Sequence, residues 1–246
     1  MNIVLTMAGK YERFRLFGNK VPKYLMPLGK STVLWHIINE YSRVESGLNF
    51  YLIANESDRD FDPVIKSVMR DFSIPKNNII YIHDTKSQLN TAIHILDSFS
   101  DLINERAAPI TFANIDTIVV NRRSYFDTLV ELSGESSIVD VFQASSTEYS
   151  YILPDDDKEG HVRRFADHSR LSNLACSGLY GFGSIEFFEK ECMKHLNEND
   201  KGNFTSLYSS LLQDGRDVTF SACRDVRDTL VLGTPEEYVI NLHRFS

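Results

Sequence analysis

The residues best placed to do chemistry in this chain are basic and lie near its N-terminus. Lys10, Arg13, Arg15, Lys20, Lys23 and Lys30 follow one another within a short stretch whose one acid is Glu12, although the whole chain carries a net charge of −8. A cationic loop on an acidic protein suits a polyanion such as a triphosphate. Backbone N–H groups after Gly9 can wrap phosphate oxygens. An arginine such as Arg13 can clamp two of those oxygens at once, and Lys23 offers a point charge where negative charge accumulates. A carboxylate at the end of a buried strand, as Asp116 is after Ala113-Asn114-Ile115, is a natural Mg²⁺ ligand when phosphates supply the other oxygens. The amide of Gln88 both donates and accepts, which suits the edge of a base.

The elements that must position these groups are legible from apolar periodicity. Asn2 to Ala8 reads as a buried strand that ends at Gly9. Ser31 is the expected cap of a helix through Val33–Tyr41. Phe50–Ala54 reads as a strand, and about Asp62 to Phe72 as a helix with Val64, Ile65, Val68, Met69 and Phe72 on one face. Asn78–Ile82 is a third strand. Ser87 to Phe99 is a helix with Leu89, Ala92, Ile93, Leu96 and Phe99 inward, and Pro109–Ala113 is a fourth strand. Strands alternating with helices mean βαβ units and a mostly parallel sheet. The basic loop then falls at the carboxyl end of a parallel strand, where open α/β sheets bind ligands. After Asp116 strand-like pieces crowd together at Ser137–Gln143, Tyr149–Leu153, His161–Phe165 and Leu174–Phe182. Helices follow at about Ser184–Leu196 and Asn203–Gln213, with strands at Val218–Cys223 and Thr229–Leu232. The last helix opens on Thr234-Pro235-Glu236-Glu237, a capping box with proline at the first helical position.

The bulk numbers narrow the class. At 246 residues, 42% hydrophobic and 24% charged, the chain is ordinary globular material long enough to bury a core without staples. Cys176, Cys192 and Cys223 are too far apart for a zinc motif or a disulfide framework, which points to the cytoplasm. No apolar run reaches the ~18 residues of a membrane span, and the acidic balance argues against a general nucleic-acid binder. Trp35 and His36 read as helix-packing residues, and His94 and His195 lack a partner at metal-ligand spacing. A Rossmann dehydrogenase is a poor reading, since no Gly-x-Gly-x-x-Gly follows the first strand.

Met7-Ala8-Gly9-Lys10-Tyr11-Glu12-Arg13-Phe14 followed by Pro22-Lys23-Tyr24-Leu25 resembles the signature of the nucleotidylyltransferases that make nucleotide-sugars, Ala-Ala-Gly-x-Gly-x-Arg-Phe and then Pro-Lys-x-Leu. The resemblance covers nearly the whole chain. It implies a single-domain, Rossmann-like three-layer α/β sandwich with a mostly parallel mixed central sheet. Residues 1–116 would form the nucleotide-binding half and 117–246 the acceptor-binding half. Carried over position by position, Ala8 and Gly9 approach the nucleotide, Arg13 holds the leaving pyrophosphate and Lys23 stabilises charge at the attacked phosphorus. Gln88, Thr91 and Ala92 match the family's Gln-x-Gly-Thr-Ala helix start beside the base, with Asn90 in place of the glycine. Asn114 joins the nucleotide site and Asp116 is the expected Mg²⁺ ligand. Tyr149, His168, Ser177 and Gly178 fall in the blocks expected to bind the acceptor.

Three departures stand out. Tyr11 takes the place of the second glycine. His168 takes the place of a lysine that touches the acceptor phosphate. Val231 takes the place of a second metal-binding aspartate, which leaves Asp228 or Asp225 as substitutes. The resemblance implies transfer of a nucleoside monophosphate from an NTP, CTP favoured, to a sugar-1-phosphate or another small phosphorylated acceptor, as in bacterial capsule and lipopolysaccharide pathways. A homo-oligomer is compatible with it. The alternative is a degenerate member that binds a nucleotide or sugar phosphate without catalysis.

Overall fold

The computed structural model describes residues 1–99, 104–132, 134–223 and 225–245. The first half runs β1 (Asn2–Met7), α1 (Glu12–Leu16), the short strands β2 (Pro27–Leu28) and β3 (Ser31–Thr32), α2 (Val33–Val44), β4 (Asn49–Asn55), α3 (Asp62–Asp71), β5 (Ile79–Ile82), α4 (Gln88–Ser98) and β6 (Ile110–Asn114). The second half runs β7 (Thr117–Val119), α5 (Arg123–Glu131), β8 (Ser137–Gln143), β9 (Ser150–Pro154), β10 (Val162–Asp167), β11 (Leu174–Phe182), α6 (Ile185–Asn199), α7 (Phe204–Gln213), β12 (Val218–Ala222), β13 (Thr229–Val231) and α8 (Pro235–Asn241).

One mixed sheet passes through both halves in the order β10-β9-β11-β6-β1-β4-β5, with β8 also pairing with β11 and β12 pairing with β8. The β5-β4-β1-β6 part is parallel, with Leu5 level with Leu52 on one side and Ala113 on the other. β11 joins antiparallel to β6, so the sheet changes character where the second half begins. Strand alternation sends Ile3, Leu5 and Met7 into one core with Leu34, Ile38, Ile65 and Phe126, and Val4 into another with Leu89, Ile95, Phe112, Phe188 and Phe204. Because β1 is buried on both faces, helices must cover both sides, which gives the expected three layers. No helix among the described residues is long and apolar enough to cross a membrane.

Local expectations needed small corrections. The cap of α2 is Thr32, whose side chain accepts from Trp35 N; Ser31 is drawn into the short β3 strand. In α4 Ile95 is fully buried together with Leu89 and Ala92, whereas Ile93 packs only at the margin of the core. Val64 is 45% exposed. β7 and α5 were not anticipated. No side chain caps α5, since Arg122 at that position turns its guanidinium elsewhere, so the helix has no start signal in the sequence.

Candidate active site

Two clefts open beside the carboxyl ends of the parallel strands and share a floor. The first, about 310 Å³, is lined by Thr6, Ala8, Gly9, Lys10, Tyr11 and Lys23 on one side and by Asp84, Thr85, Ser87, Gln88 and Thr91 on the other. The second, about 320 Å³, is lined by Arg13, Glu148, Tyr149, Ser177, Gly178, Gly233, Thr234 and Glu237 among others. Asn114 and Asp116, at and just beyond the end of β6, line both.

Each cation of the basic loop that faces these clefts is held by a carboxylate. Lys23, in a single turn after Pro22, places Nζ 2.8 Å from Asp116 Oδ2. Burial raises the Asp116 carboxyl, but the Lys23 ammonium outweighs it and holds the group below the usual carboxylate range. Arg13 donates to Glu148 Oε2 at 2.8 Å, with both side chains more than half exposed. Lys10 lies 3.2 Å from Asp84 Oδ2. The Asn55 side-chain amide and then Lys10 lower the Asp84 carboxyl. Exposed pairs of this kind contribute little to stability, so an anion can replace the carboxylate at little cost.

Tyr11 does not obstruct the loop. Its backbone is left-handed, φ 51° and ψ 33°, the conformation a glycine would adopt freely. The ring folds back to the end of β1, where the hydroxyl lies against the Met7 carbonyl and 3.4 Å from Asp58 Oδ2.

Polar side chains fix the shared floor. Gln88 Nε2 donates to Asn114 Oδ1 at 2.8 Å, and Gln88 Oε1 accepts from Phe204 N at 3.4 Å. Its amide is thus already engaged at both ends. Opposite Asn114, the pairing of β11 with β8 shifts register between Cys176 and Tyr180, which re-aims Ser177 and Gly178 toward the second cleft. Gly178 has φ +97°, and a Cβ there would sit 2.8 Å from Asn114 Cβ, so only glycine fits. Thr91 lines the first cleft, its hydroxyl 2.6 Å from that of Thr85.

Three candidates fall elsewhere. Ala92 is fully buried in the core under α4 and does not line the cleft. His168 is exposed beyond the end of β10, in left-handed backbone at φ 50°, and does not line the second cleft; its neighbour Asp167 is bound by Ser150, Asn203 and Thr205 instead. Asp228 lies at the far end of the β7–β13 ladder: Val231 pairs with Thr117 beside Asp116, while the Asp228 carbonyl accepts from Val120 N and its carboxylate meets Asn121. Three strand positions span roughly 10 Å, so Asp228 cannot share a cation with Asp116. The Asp225 carboxylate is taken by Arg227.

A carboxylate that the sequence reading used only as a helix cap stands nearer. A Cβ on Gly233 would lie 3.4 Å from Glu237 Oε2 and 3.6 Å from Asp116 Oδ2, so the bare glycine leaves a gap flanked by two acids. Glu237 Oε2 also accepts from Thr234 N at 2.9 Å in the capping box, and Oε1 accepts from the Tyr149 hydroxyl at 2.7 Å. Burial and then the Glu237 hydrogen bond push the Tyr149 hydroxyl up, so it stays a donor. Among the described residues no three His, Cys, Asp or Glu side chains converge on one point. Two carboxylates with open space between them fit a hard cation that takes its remaining oxygens from phosphates. Glu148, Asp84, Glu237 and Gly233 are the site residues that no single sequence motif singled out for this role.

No family model and no curated protein matches the chain. Solved structures do. The nucleoside-diphosphate-sugar pyrophosphorylase from Vibrio cholerae RC9 is similar with a TM-score of 0.80 at 21% identity, covering 99% of this chain and 100% of that one. A UDP-glucose pyrophosphorylase complexed with UDP-glucose has a TM-score of 0.76 at 14% identity, covering 99% and 97%. The inositol-1-phosphate CTP transferase from T. maritima has a TM-score of 0.72 at 12% identity, covering 99% and 95%. At these identities the likeness establishes the fold, and it is the fold that the N-terminal signature implied.

Proposed function

We propose that this chain is a nucleotidyltransferase that moves a nucleoside monophosphate from an NTP to a small phosphorylated acceptor and releases pyrophosphate. The observation that carries the reading is the shared floor: Asp116 and Asn114 line both clefts, and Lys23 stands at their junction. A triphosphate in the first cleft and an acceptor phosphate in the second then meet at that junction. An acceptor phosphate oxygen attacks the α-phosphorus, the bond from that phosphorus to the α,β-bridging oxygen breaks, and pyrophosphate leaves with the electron pair. No enzyme-bound covalent intermediate is needed. The protein supplies position and charge. Lys23 leaves Asp116 for the α-phosphate, and Arg13 leaves Glu148 for the departing β- and γ-oxygens. Gly9 and Ala8 let backbone approach the nucleotide.

Asp116 and Glu237 would hold Mg²⁺, which when bound neutralises phosphate charge. The second cleft needs that help, because Arg13 is the one cation among its lining residues, against Asp116, Glu148 and Glu237. CTP is the favoured donor and a sugar-1-phosphate the favoured acceptor, with a nucleotide-activated precursor of surface polysaccharide as the product class. The second reading, a non-catalytic binder, draws on Val231 at the second aspartate position.

Pyrophosphate release decides between them. CTP, UTP, dTTP, GTP and ATP are offered in turn with Mg²⁺ and a panel of sugar-1-phosphates and small phosphate esters. One NTP–acceptor pair should release pyrophosphate only when both are present. A nucleotide that raises the melting temperature equally with and without Mg²⁺, and never yields pyrophosphate, favours the binder.

A further inference from the structure

Tyr11 breaks the glycine pattern of the phosphate loop, yet the fold puts it to use. Its left-handed backbone is one that a side chain resists, so something must hold it there. The ring packs edge-on against Tyr24 with centroids 5.8 Å apart, and Lys23 Nζ lies 5.8 Å from the Tyr11 centroid. The Tyr24 hydroxyl donates to Asp58 Oδ2 at 3.0 Å, the oxygen that also lies 3.4 Å from the Tyr11 hydroxyl. Asp58 is 3% exposed and sits in the turn that follows β4. No cation pairs with it among the described ion pairs; hydroxyls do, Ser57 Oγ being the third, 3.5 Å from Oδ1.

The placement in the chain gives this cluster its meaning. Tyr11 stands two residues before Arg13, and Tyr24 directly follows Lys23. One buried carboxylate therefore touches both segments that carry the phosphate cations, while the Met7 carbonyl, against which the Tyr11 hydroxyl also lies, keeps that ring at the end of β1. Between the two segments Phe14 is buried in the core, but the outer side of the chain is open, with Leu16 87% and Phe17 80% exposed. We propose that Asp58 is a positioning residue which, through the hydroxyls of Tyr11 and Tyr24, sets the distance between the phosphate loop and Lys23 before a triphosphate arrives. The inference rests on the first cleft being a triphosphate site. A glycine at position 11 would leave the loop to be ordered on binding, whereas a tyrosine fastened at its hydroxyl has lost that freedom beforehand, and preorganisation of this kind appears as affinity.

The test uses inorganic tripolyphosphate as probe, titrated calorimetrically into the full chain and into Tyr11→Phe, Asp58→Asn and the double variant. Melting temperatures report folding, and pyrophosphate release reports turnover. Tyr11→Phe keeps the ring and loses only the hydroxyl, so the packing on Tyr24 survives. The dissociation constant should rise about tenfold in each single variant, the scale of one hydrogen bond to a charged group, and no further in the double variant. KM for the NTP should rise by the same factor while kcat stays within about twofold. A merely structural Asp58 would lower the melting temperature and leave the dissociation constant of the folded variant unchanged, and that result, or additive losses, overturns the proposal. A wild type that binds tripolyphosphate and turns over, with variants that match it, defeats the clamp alone. A wild type that does neither defeats the nucleotide reading and the clamp with it.

Discussion

The two clefts are built in different ways from one sheet. The first is assembled from parallel strand ends and the loops after them, and Ala8, Gly9, Lys23, Gln88, Thr91, Asn114 and Asp116 all line it. The second is assembled where the antiparallel β11 joins, with Tyr149 from the β8–β9 connection and Gly233 and Glu237 from the C-terminal segment. Basic residues are plentiful in the second half, yet Arg163, Arg164, His168 and Arg170 are exposed and outside its lining. Among the lining residues, lysines are thus confined to the first cleft, with Lys10 and Lys23, and Arg13 serves the second. The second cleft offers carboxylates, a tyrosine hydroxyl and a backbone opened by Gly178; under the proposed function Asp116 and Glu237 would hold the Mg²⁺ that offsets the negative charge there.

The ion pairs repeat the contrast. Lys23–Asp116 and Arg122–Asp140 have the same 2.8 Å separation, but the first is partly open to the clefts while the second is 2% and 0% exposed. Arg122 also donates to the Val120 carbonyl at 2.7 Å and to the Thr229 hydroxyl, joining the end of β7 to β13 behind the second cleft. Burial raises the Asp140 carboxyl despite the opposing guanidinium. One pair is open to the clefts, and the other is enclosed in the scaffold.

That distinction can be broken by experiment. Arg122→Leu should cost about 3–5 kcal/mol of folding stability by leaving Asp140 buried without its partner, read as a lower urea midpoint. A small loss there would mean the pair is not structural. Lys23→Ala should lower turnover by about 10²–10³-fold, the usual worth of one preorganised charge donor, with a much smaller change in melting temperature. Normal turnover in that folded variant would remove Lys23 from the mechanism. The stability that Lys23 lends through Asp116 has a defined sign: a lowered carboxyl contributes above the ordinary carboxylate range and the contribution is lost as pH falls through the lowered value.

Two smaller effects sharpen the acceptor side. Glu237→Gln keeps an acceptor for the Thr234 cap, so the helix should survive, while the Mg²⁺ concentration for half-maximal rate rises about tenfold. Adding Val231→Asp should restore it; failure of both would return Glu237 to a purely capping role. His168→Ala should change the acceptor KM by less than about twofold, as for other exposed positions outside a site. A large rise would place His168 in contact with the acceptor.

The order of elements was legible because its signals are local. Short continuous apolar runs marked β1, β4 and β6, Thr234 announced its helix as a cap that the structure retains, and Ser87 and Asn203, the first residues of their expected helices, prove to be the caps. α5 carried no such cap and was invisible. Asp228 looked like the substitute ligand because it is near Val231 in sequence, but along a strand nearness in sequence becomes distance in space. Glu237 was read only as a cap, since its neighbours in the chain account for only one of its oxygens.

The sequence by itself determined the strand–loop–helix order, the cationic loop after β1 and the chemical types gathered at the carboxyl ends of the strands, all of which depend on residues close together in the chain. Tertiary structure decided which acid meets which cation and which cleft. Asp116 finds Glu237 across Gly233, and Tyr11 finds Asp58, only after the sheet has brought together segments far apart in the chain. Pairings of that kind are set by register and crossover, and no local pattern of residues encodes them.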